Sequence, residues 1–235
     1  MKKAIAILLS AILALTLTAC GARSSTQSEA QGVETAAIVA DESEQGQVET
    51  VTEAAETTDD AKKVLIVYFS PANSDTADAV SSATPRVGEL SSVEYFAQLI
   101  GGQVDADMAK IVAQEAYPLP YERAADQARQ EQDSGARPAF TLDVNPEDYD
   151  VIFVGYPVWW YHLPMIMQTF FDTYDFRGKT IIPFNTHGGS RDSGTYKDIE
   201  ALESGATVLG GLAVNGEQTG GAEQSVTDWL AGLSY

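Results

Sequence analysis

The chain has 235 residues, 44% of them hydrophobic, and a formal net charge of −20 at pH 7. So large a negative charge argues against nucleic acids and anionic membrane surfaces as partners. With two histidines, one cysteine and no cluster at ligand spacing, the sequence predicts no dedicated transition-metal site.

Residues 1–19 have the features of a secretory signal peptide. Two lysines follow Met1, and residues 4–18 form an apolar run that is short for a membrane span and ends in small residues. The run leads into Leu17-Thr18-Ala19-Cys20, which resembles the bacterial lipobox and implies that Cys20 is lipidated and becomes the mature N-terminus. The alternative is an ordinary signal peptide followed by an incidental cysteine. We expect a lipid-anchored protein outside the cytoplasmic membrane.

Residues 20–61 are predicted to form a disordered acidic tether that starts at the lipidated cysteine. Between residues 21 and 60 there are ten acidic residues, one basic residue and no aromatic residue. Such a composition cannot bury enough apolar surface to offset the entropy that ordering would cost. Repulsion between like charges should keep the segment extended, so we expect it to act as a spacer.

Residues 62–235 are predicted to form one α/β domain. Continuous apolar runs indicate strands that are buried on both faces, as in a parallel sheet. The predicted strands cover residues 63–69, 108–112, 151–154, 179–184 and 207–214. The predicted helices cover residues 92–100, 121–134, 165–174, 195–202 and 223–233. Five strands that alternate with helices predict a doubly wound parallel sheet.

The third predicted strand leads into an unusual aromatic loop. Gly155 and Pro157 are expected to end the strand, because proline has no backbone N–H to donate to a ladder. The loop then carries Trp159, Trp160 and Tyr161 at the carboxyl end of a sheet strand, where open α/β sheets bind ligands. We interpret the rings as a stacking surface for a flat ligand; the alternative is that the tryptophans fill a core.

Two other strands are followed by neutral hydrogen-bond donors. The first loop offers Ser70, Asn73 and Ser74, and the fourth offers Thr186 and the backbone N–H groups of residues 187–189. Neither loop contains a lysine or arginine. An acidic protein of this kind is expected to hold a phosphate with neutral donors and a helix N-terminus.

Four stretches resemble the flavodoxin family, specifically its short secreted or surface members in bacteria. They are residues 64–70, 150–164, 174–184 and 186–190, and the motifs Gly-Tyr-Pro-x-Trp-Trp and Thr-His-Gly-Gly-Ser are the specific ones. The resemblance covers nearly all of residues 62–235 and implies a flavodoxin-like fold with strand order 2-1-3-4-5 and bound FMN. The cofactor-binding residues that it implies are Ser70, Ala72, Ser91, Ser92, Val93, Pro157, Val158, Trp159, Trp160, Tyr161, Thr186, His187, Gly188, Gly189 and Ser190.

The first loop departs from the family pattern. The family reads Ser-x-Thr-Gly-Asn-Thr directly before a helix, whereas here residues 71–90 separate Ser70 from the helix. Residues 91–93 then stand where the family has Gly-Asn-Thr. The resemblance places the FMN phosphate at Ser70 and at the start of this helix, where N–H groups can bind it. It places the isoalloxazine ring against residues 157–161 and 186–189.

The remaining polar and aromatic side chains receive more limited roles. His187 is either a donor to the pyrimidine ring of the flavin or a residue that caps its own turn. His162 is interpreted as structural. Tyr117, Tyr121 and Tyr149 are interpreted as packing residues, and no catalytic side chain is assigned.

The sequence therefore predicts an FMN-binding electron-transfer protein whose partner is a redox protein or a small-molecule electron acceptor. Negative surroundings are expected to oppose an anionic reduced flavin and so to lower its potential. Two alternatives remain open: an NAD(P)H-dependent reductase of the quinone or flavin type, and a surface binding module that has lost FMN. A serine hydrolase is disfavoured, because the chain has no Gly-x-Ser-x-Gly turn.

Overall fold

The computed structural model describes residues 62–71, 86–118 and 121–235. Several predictions concern residues outside these ranges: the signal peptide (1–19), Cys20, the tether (20–61), Ala72, Asn73 and Ser74. Within the three described ranges, no helix has the length and apolar character needed to cross a membrane.

The described residues form nine strands, five α-helices and two short 3-10 helices. The strands are β1 Val64–Phe69, β2 Arg86–Val87, β3 Leu90–Ser91, β4 Asp107–Ala113, β5 Phe140–Thr141, β6 Val151–Pro157, β7 Thr180–His187, β8 Thr207–Val208 and β9 Leu212–Asn215. The α-helices are α1 Ser92–Gly101, α2 Tyr121–Ser134, α3 Met165–Thr173, α4 Thr195–Leu202 and α5 Glu223–Ala231. The 3-10 helices are Pro146–Asp148 and Gly216–Gly221.

Seven of the strands form the central sheet, in the order β5-β4-β1-β6-β7-β8, with β9 also paired to β7. Every pairing except that of β4 with β5 is parallel. Counted along the chain, the parallel strands lie in the order 2-1-3-4-5, if β8 and β9 together are taken as the fifth. The predicted flavodoxin-like α/β fold is therefore confirmed, with β5 as an additional antiparallel edge strand.

Both faces of the sheet are buried. In β1, Leu65, Val67 and Phe69 pack into a core that includes residues of α2, α3 and α4. The alternate residues Ile66 and Tyr68 pack into a second core, with residues of α1 and α5. Because successive side chains of a strand point to opposite faces, the continuous apolar sequence of β1 supplies both cores.

The third parallel strand is longer than predicted. We expected Gly155 and Pro157 to end it, but β6 continues to Pro157. Gly155 is accommodated because the Phe184 ring of β7 lies over it, where a Cβ atom would come within 2.2 Å of Phe184 Cζ. Pro157 is the last residue of the strand, and the ladder resumes with the Val158 N–H, which donates to the Thr186 carbonyl at 2.8 Å.

The last predicted strand, residues 207–214, is instead divided into β8 and β9. Ile181 pairs with Val208, and Phe184 pairs with Leu212. Three residues of the final segment therefore lie opposite two residues of β7, as in a bulge. One of those two is Pro183, which has no N–H to donate to the ladder. The prediction of a continuous strand was wrong at this point.

The segment before α1 is a short hairpin. The strands β2 and β3 pair antiparallel, with Arg86 opposite Ser91. Ser91 is both the last residue of β3 and the N-cap of α1, and its Oγ accepts the Glu94 N–H at 3.1 Å. The hairpin therefore delivers the chain directly to the start of the helix.

Candidate functional site

The predicted phosphate-binding residues meet at the carboxyl end of β1. Ser70 follows the strand directly, and its Oγ donates to the Oγ of Ser91 at 2.7 Å, although 21 positions separate the two residues. Ser70, Ser91, Ser92 and Val93 are all buried. The long insertion therefore does not separate the two halves of the predicted phosphate loop.

Thr186 extends this site along the edge of the sheet. Pro157 pairs with Thr186, and Tyr68 pairs with Gly155, so Ser70, Pro157 and Thr186 follow one another across three neighbouring strands. Thr186 is fully buried, and its Oγ1 has no hydrogen-bond partner among the described residues. A buried hydroxyl without a partner costs about 1–3 kcal/mol. A hydrogen-bond partner from outside the described residues would remove this cost.

The aromatic loop is a tight turn. Trp159 and His162 exchange backbone hydrogen bonds of 3.1 and 2.8 Å, and the two residues between them have positive φ, 48° for Trp160 and 67° for Tyr161. Two-residue turns of this kind favour Asn and Gly, because other residues cost about 1–2 kcal/mol each in the left-handed region. Strain of this kind clusters at ligand clamps and active sites.

The two tryptophans have different environments. Trp159 is 8% exposed and packs edge-on against Phe69 and Tyr117, with ring centroids 5.4 and 5.0 Å away. Trp160 is 44% exposed; its Nε1–H donates to the Ala125 carbonyl of α2 at 2.9 Å, and the Arg129 guanidinium lies 5.5 Å from its ring centroid. Trp159 is therefore packed in the core, as the core-filling alternative has it. Trp160 faces outward, and ligand stacking on it stays a prediction.

A cavity of about 470 Å³ lies between the aromatic turn, the glycine-rich loop after β7 and helix α2. Its lining includes seven residues from the two predicted loops: Val158, Trp159, Trp160, Tyr161, Gly188, Gly189 and Ser190. Among the described residues, none that lines it is charged. The cavity thus brings together part of the two segments predicted to contact a planar ring. The predicted residues outside its lining are Ser70, Ser91, Ser92, Val93, Pro157, Thr186 and His187.

Sequence reasoning missed the wall that α2 contributes. Tyr121, Ala124, Ala125 and Ala128 line the cavity. Tyr121, interpreted as a packing residue, is 40% exposed at this wall. The spacing of the alanines along α2 was visible in the sequence, but small residues at helical spacing are equally typical of close helix packing.

His187 caps its own turn. Its Nδ1 accepts the Gly189 N–H at 2.9 Å, where Gly189 has a φ of 125°. An accepting Nδ1 carries no proton, so in the neutral ring the proton resides on Nε2. Burial lowers the pKa of His187, the nearby Arg191 lowers it further, and Asp192 opposes this effect. The neutral form that holds the glycine loop is therefore the favoured one.

One acidic residue lies in the first turn of α1. Glu94 accepts a hydrogen bond from the Tyr68 hydroxyl at 3.2 Å and pairs with the Lys110 ammonium at 3.6 Å. Burial raises the pKa of Tyr68, and the Glu94 carboxylate raises it further, so the phenol stays protonated and donates. The positive end of the helix thus already has a partly neutralised anion beside it.

The other predicted structural residues lie around these elements. The Tyr117 hydroxyl donates to Glu131 Oε2 at 3.0 Å, and the Tyr149 hydroxyl donates to Asp107 Oδ2 at 2.8 Å. His162 contributes its backbone to the aromatic turn, and its side chain is exposed. In the part of the chain that the structure describes, no group of three or more His, Cys, Asp or Glu side chains could hold a metal ion.

Comparison with protein families gives one match that spans the folded part of the chain. The model of a flavodoxin family matches residues 63–233. No curated protein matches the chain at a significant level.

Solved structures share this fold. A proposed flavoprotein of Bacteroides uniformis is 28% identical, with a TM-score of 0.57, and the match covers 72% of this chain and 98% of that one. A second, from Bacteroides eggerthii, is 24% identical, with a TM-score of 0.54 and coverages of 72% and 96%. A flavoprotein of Lactobacillus acidophilus, solved in complex with FMN, is 21% identical, with a TM-score of 0.52 and coverages of 73% and 99%.

Proposed function

The chain belongs to the flavodoxin family, and on this basis we propose that it binds FMN and transfers electrons outside the cytoplasmic membrane. FMN supplies the one- or two-electron chemistry when bound, and the protein sets its position and its exposure. The residues of this chain then have three tasks: to bind the phosphate, to bind the ribityl chain and to enclose the ring.

The observation that carries the proposal is the buried, unpartnered hydroxyl of Thr186. It lies at the carboxyl edge of the sheet, opposite Pro157 at the end of β6. On the other side of Pro157, Ser70 follows β1 and bonds to Ser91 at the N-terminus of α1. Hydroxyl donors next to a helix N-terminus suit a phosphorylated, polyhydroxylated ligand in a chain of strongly negative charge. We assign the phosphate to Ser70 and the first turn of α1, and assign Thr186 to a polar group of the cofactor.

The uncharged cavity supports the second half of the proposal. Aromatic residues of the turn, alanines of α2 and glycines after β7 provide an uncharged surface for a planar ring. Because Trp159 is packed edge-on in the core, Trp160 and Tyr161 are the rings of this turn that remain available for stacking. The backbone N–H of Gly188 can donate to a ring oxygen or nitrogen, whereas that of Gly189 already bonds to His187.

For the cellular setting we propose a lipoprotein. Lipidation at Cys20 would fix the chain to the membrane, and residues 20–61 would separate the redox domain from the surface. A redox protein or a small-molecule electron acceptor is the proposed partner. The net charge of −20 argues against nucleic acid as a further partner.

One observation favours a second candidate, an NAD(P)H-dependent reductase of quinones or flavins. The cavity proposed for the ring has no charged residue in its described lining, which would also suit a small neutral acceptor bound against the flavin. Neither candidate requires a catalytic side chain. A steady-state assay with NADPH and a quinone distinguishes them, because only the reductase turns over without a separate electron-donor protein.

The proposal is tested by titrating the full chain with FMN and comparing two threonine variants by calorimetry. Thr186→Val keeps the shape of the side chain and removes the hydroxyl, and we expect FMN affinity to fall about five- to tenfold, the value of one buried hydrogen bond. Thr207→Val, an exposed strand residue paired with the opposite end of β7, should bind FMN like the wild type. Equal affinity of all three chains would remove Thr186 from the site.

A further inference from the structure

The three tryptophans of this chain differ in whether the indole N–H has a hydrogen-bond acceptor. The Trp160 Nε1–H donates to the Ala125 carbonyl, and the Trp229 Nε1–H donates to the Gly210 carbonyl, each at 2.9 Å. Trp159 Nε1 is buried and has no hydrogen-bond partner among the described residues. An indole N–H can only donate, so this group needs an acceptor that the described residues do not supply.

The Trp159 ring is held firmly in this position. Phe69 and Tyr117 contact it edge-on, and Tyr117 is itself fixed by its hydrogen bond to the buried Glu131. The backbone of Trp159 is also held, since both its N–H and its carbonyl bond to His162. The ring therefore cannot readily turn to find an acceptor elsewhere.

Trp159 lines the uncharged cavity between the aromatic turn and α2. Leaving an N–H unpaired in such a place destabilises the empty protein and favours any ligand that brings an acceptor atom to it. Aromatic and glycine walls suit a planar ligand, and an acceptor for the N–H can be a carbonyl oxygen or a ring nitrogen. An isoalloxazine ring has both.

We infer that the Trp159 indole N–H is a hydrogen-bond donor to the isoalloxazine ring of the flavin, and that it orients the ring in the cavity. This inference rests on the proposed FMN binding. It assigns Trp159 a role different from stacking: the edge of its ring, and not its face, contacts the cofactor. Stacking is left to the neighbouring exposed rings of the turn.

The test uses indole ¹H–¹⁵N correlation spectra of the full chain, which should contain three signals. Trp160→Phe and Trp229→Phe each remove one signal, so the Trp159 signal is identified without altering Trp159. FMN and riboflavin, which share the ring, should each move the Trp159 indole proton downfield, as a new hydrogen bond does. Inorganic phosphate should leave it in place, and the Trp229 signal should change little with any of the three.

Three outcomes are possible. A downfield shift with both flavins supports the inference. A Trp159 signal that stays in place or moves upfield, while flavin absorbance shows binding, overturns the inference and leaves the proposed function intact. If neither flavin binds, the proposed function and the inference fail together.

A variant gives a second readout. Trp159→Phe removes the donor, and we expect the affinities for FMN and for riboflavin to fall by the same factor, about five- to tenfold. Trp229→Phe is the matched control, because it removes a comparable ring from α5, on the other face of the sheet. An unchanged flavin affinity in a folded Trp159→Phe chain would contradict the inference.

Discussion

The Oγ atoms of Ser70 and Ser91 lie 2.7 Å apart, although they belong to opposite ends of a long insertion. Ser70 directly follows the first strand, and Ser91 caps the helix that in the family follows the first loop directly. The β2–β3 hairpin brings the inserted chain back to this point. The proposed phosphate loop thus consists of two segments that are distant in sequence.

The carboxylate of Glu94 should weaken phosphate binding. It lies in the first turn of α1, where a bound phosphate would also interact with the helix dipole. We expect Glu94→Gln to raise the affinity for FMN about two- to fivefold, the worth of one like charge at a helix end, about 0.3–1 kcal/mol. Riboflavin lacks the phosphate, and its affinity should not change. If both flavins respond equally in fluorescence titrations, the phosphate is not at this helix end.

Protonation of His187 should loosen the glycine loop. Because its pKa is lowered in the folded chain, the neutral form contributes stability that is fully present above about pH 6.5, the usual value of histidine, and is lost as the pH falls through the lowered pKa. In the same range a protonated Nδ1 can no longer accept the Gly189 N–H. Riboflavin binding and the free energy of unfolding should both decrease there.

The His187→Asn variant is the matched comparison for the acid-induced loss of stability. In His187→Asn, the side-chain oxygen can accept the Gly189 N–H and does not titrate, so the acid-induced loss should be smaller than in the wild type. His162→Asn changes an exposed histidine of the neighbouring turn and should keep the wild-type profile. Denaturant unfolding between pH 5 and 8 measures the effect; parallel profiles for all three chains would exclude His187 as its source.

The aromatic turn should be strained. Replacing Tyr161 by glycine relieves about 1–2 kcal/mol of left-handed strain and costs about 0.4–1 kcal/mol through the unfolded state, so we expect a net gain in stability of about 1 kcal/mol. Tyr121→Gly, at an exposed tyrosine at the start of α2 without positive φ, has no left-handed strain to relieve and should give no gain in stability. Urea unfolding of the ligand-free chains compares the two, and a loss of stability in Tyr161→Gly would show that the turn is relaxed.

The contact between Gly155 and Phe184 should be intolerant of added volume. Gly155→Ala places a methyl group inside the Phe184 ring position, and overpacking of this kind costs about 1–3 kcal/mol. Combining it with Phe184→Leu should recover part of the loss, since the two residues touch. Urea unfolding of both single variants and the double variant gives the coupling free energy between residues 155 and 184. Strictly additive losses would mean that the backbone shifts to make room for the methyl group and that the Phe184 ring is not displaced.

Much of the fold could be predicted from the sequence, because buried parallel strands are continuous apolar runs. The strand that begins at Val64 and the helix that begins at Tyr121 are both where the pattern indicated. The errors occur where tertiary contacts override local rules. Gly155 stays within a strand because Phe184 needs the space, and the final strand is interrupted opposite Pro183.

The candidate site was predictable only in part. Loops at the carboxyl ends of parallel strands converge by topology, so Ser70, Thr186 and the aromatic turn could be grouped in advance. The α2 wall and the different orientations of the two tryptophans depend on packing across the sheet, which local sequence does not encode. The hydroxyl of Thr186 illustrates the difference: its residue type suggested a donor, but only the fold shows that the described residues leave it unpartnered.

The most direct test of the account is a titration of the purified full chain with FMN, followed by flavin fluorescence and by the visible absorption spectrum. We predict saturable one-to-one binding that changes both signals and leaves the protein yellow after removal of free flavin. A colourless protein, with flavin fluorescence that stays proportional to the FMN added, would contradict the assignment of this chain as a flavoprotein.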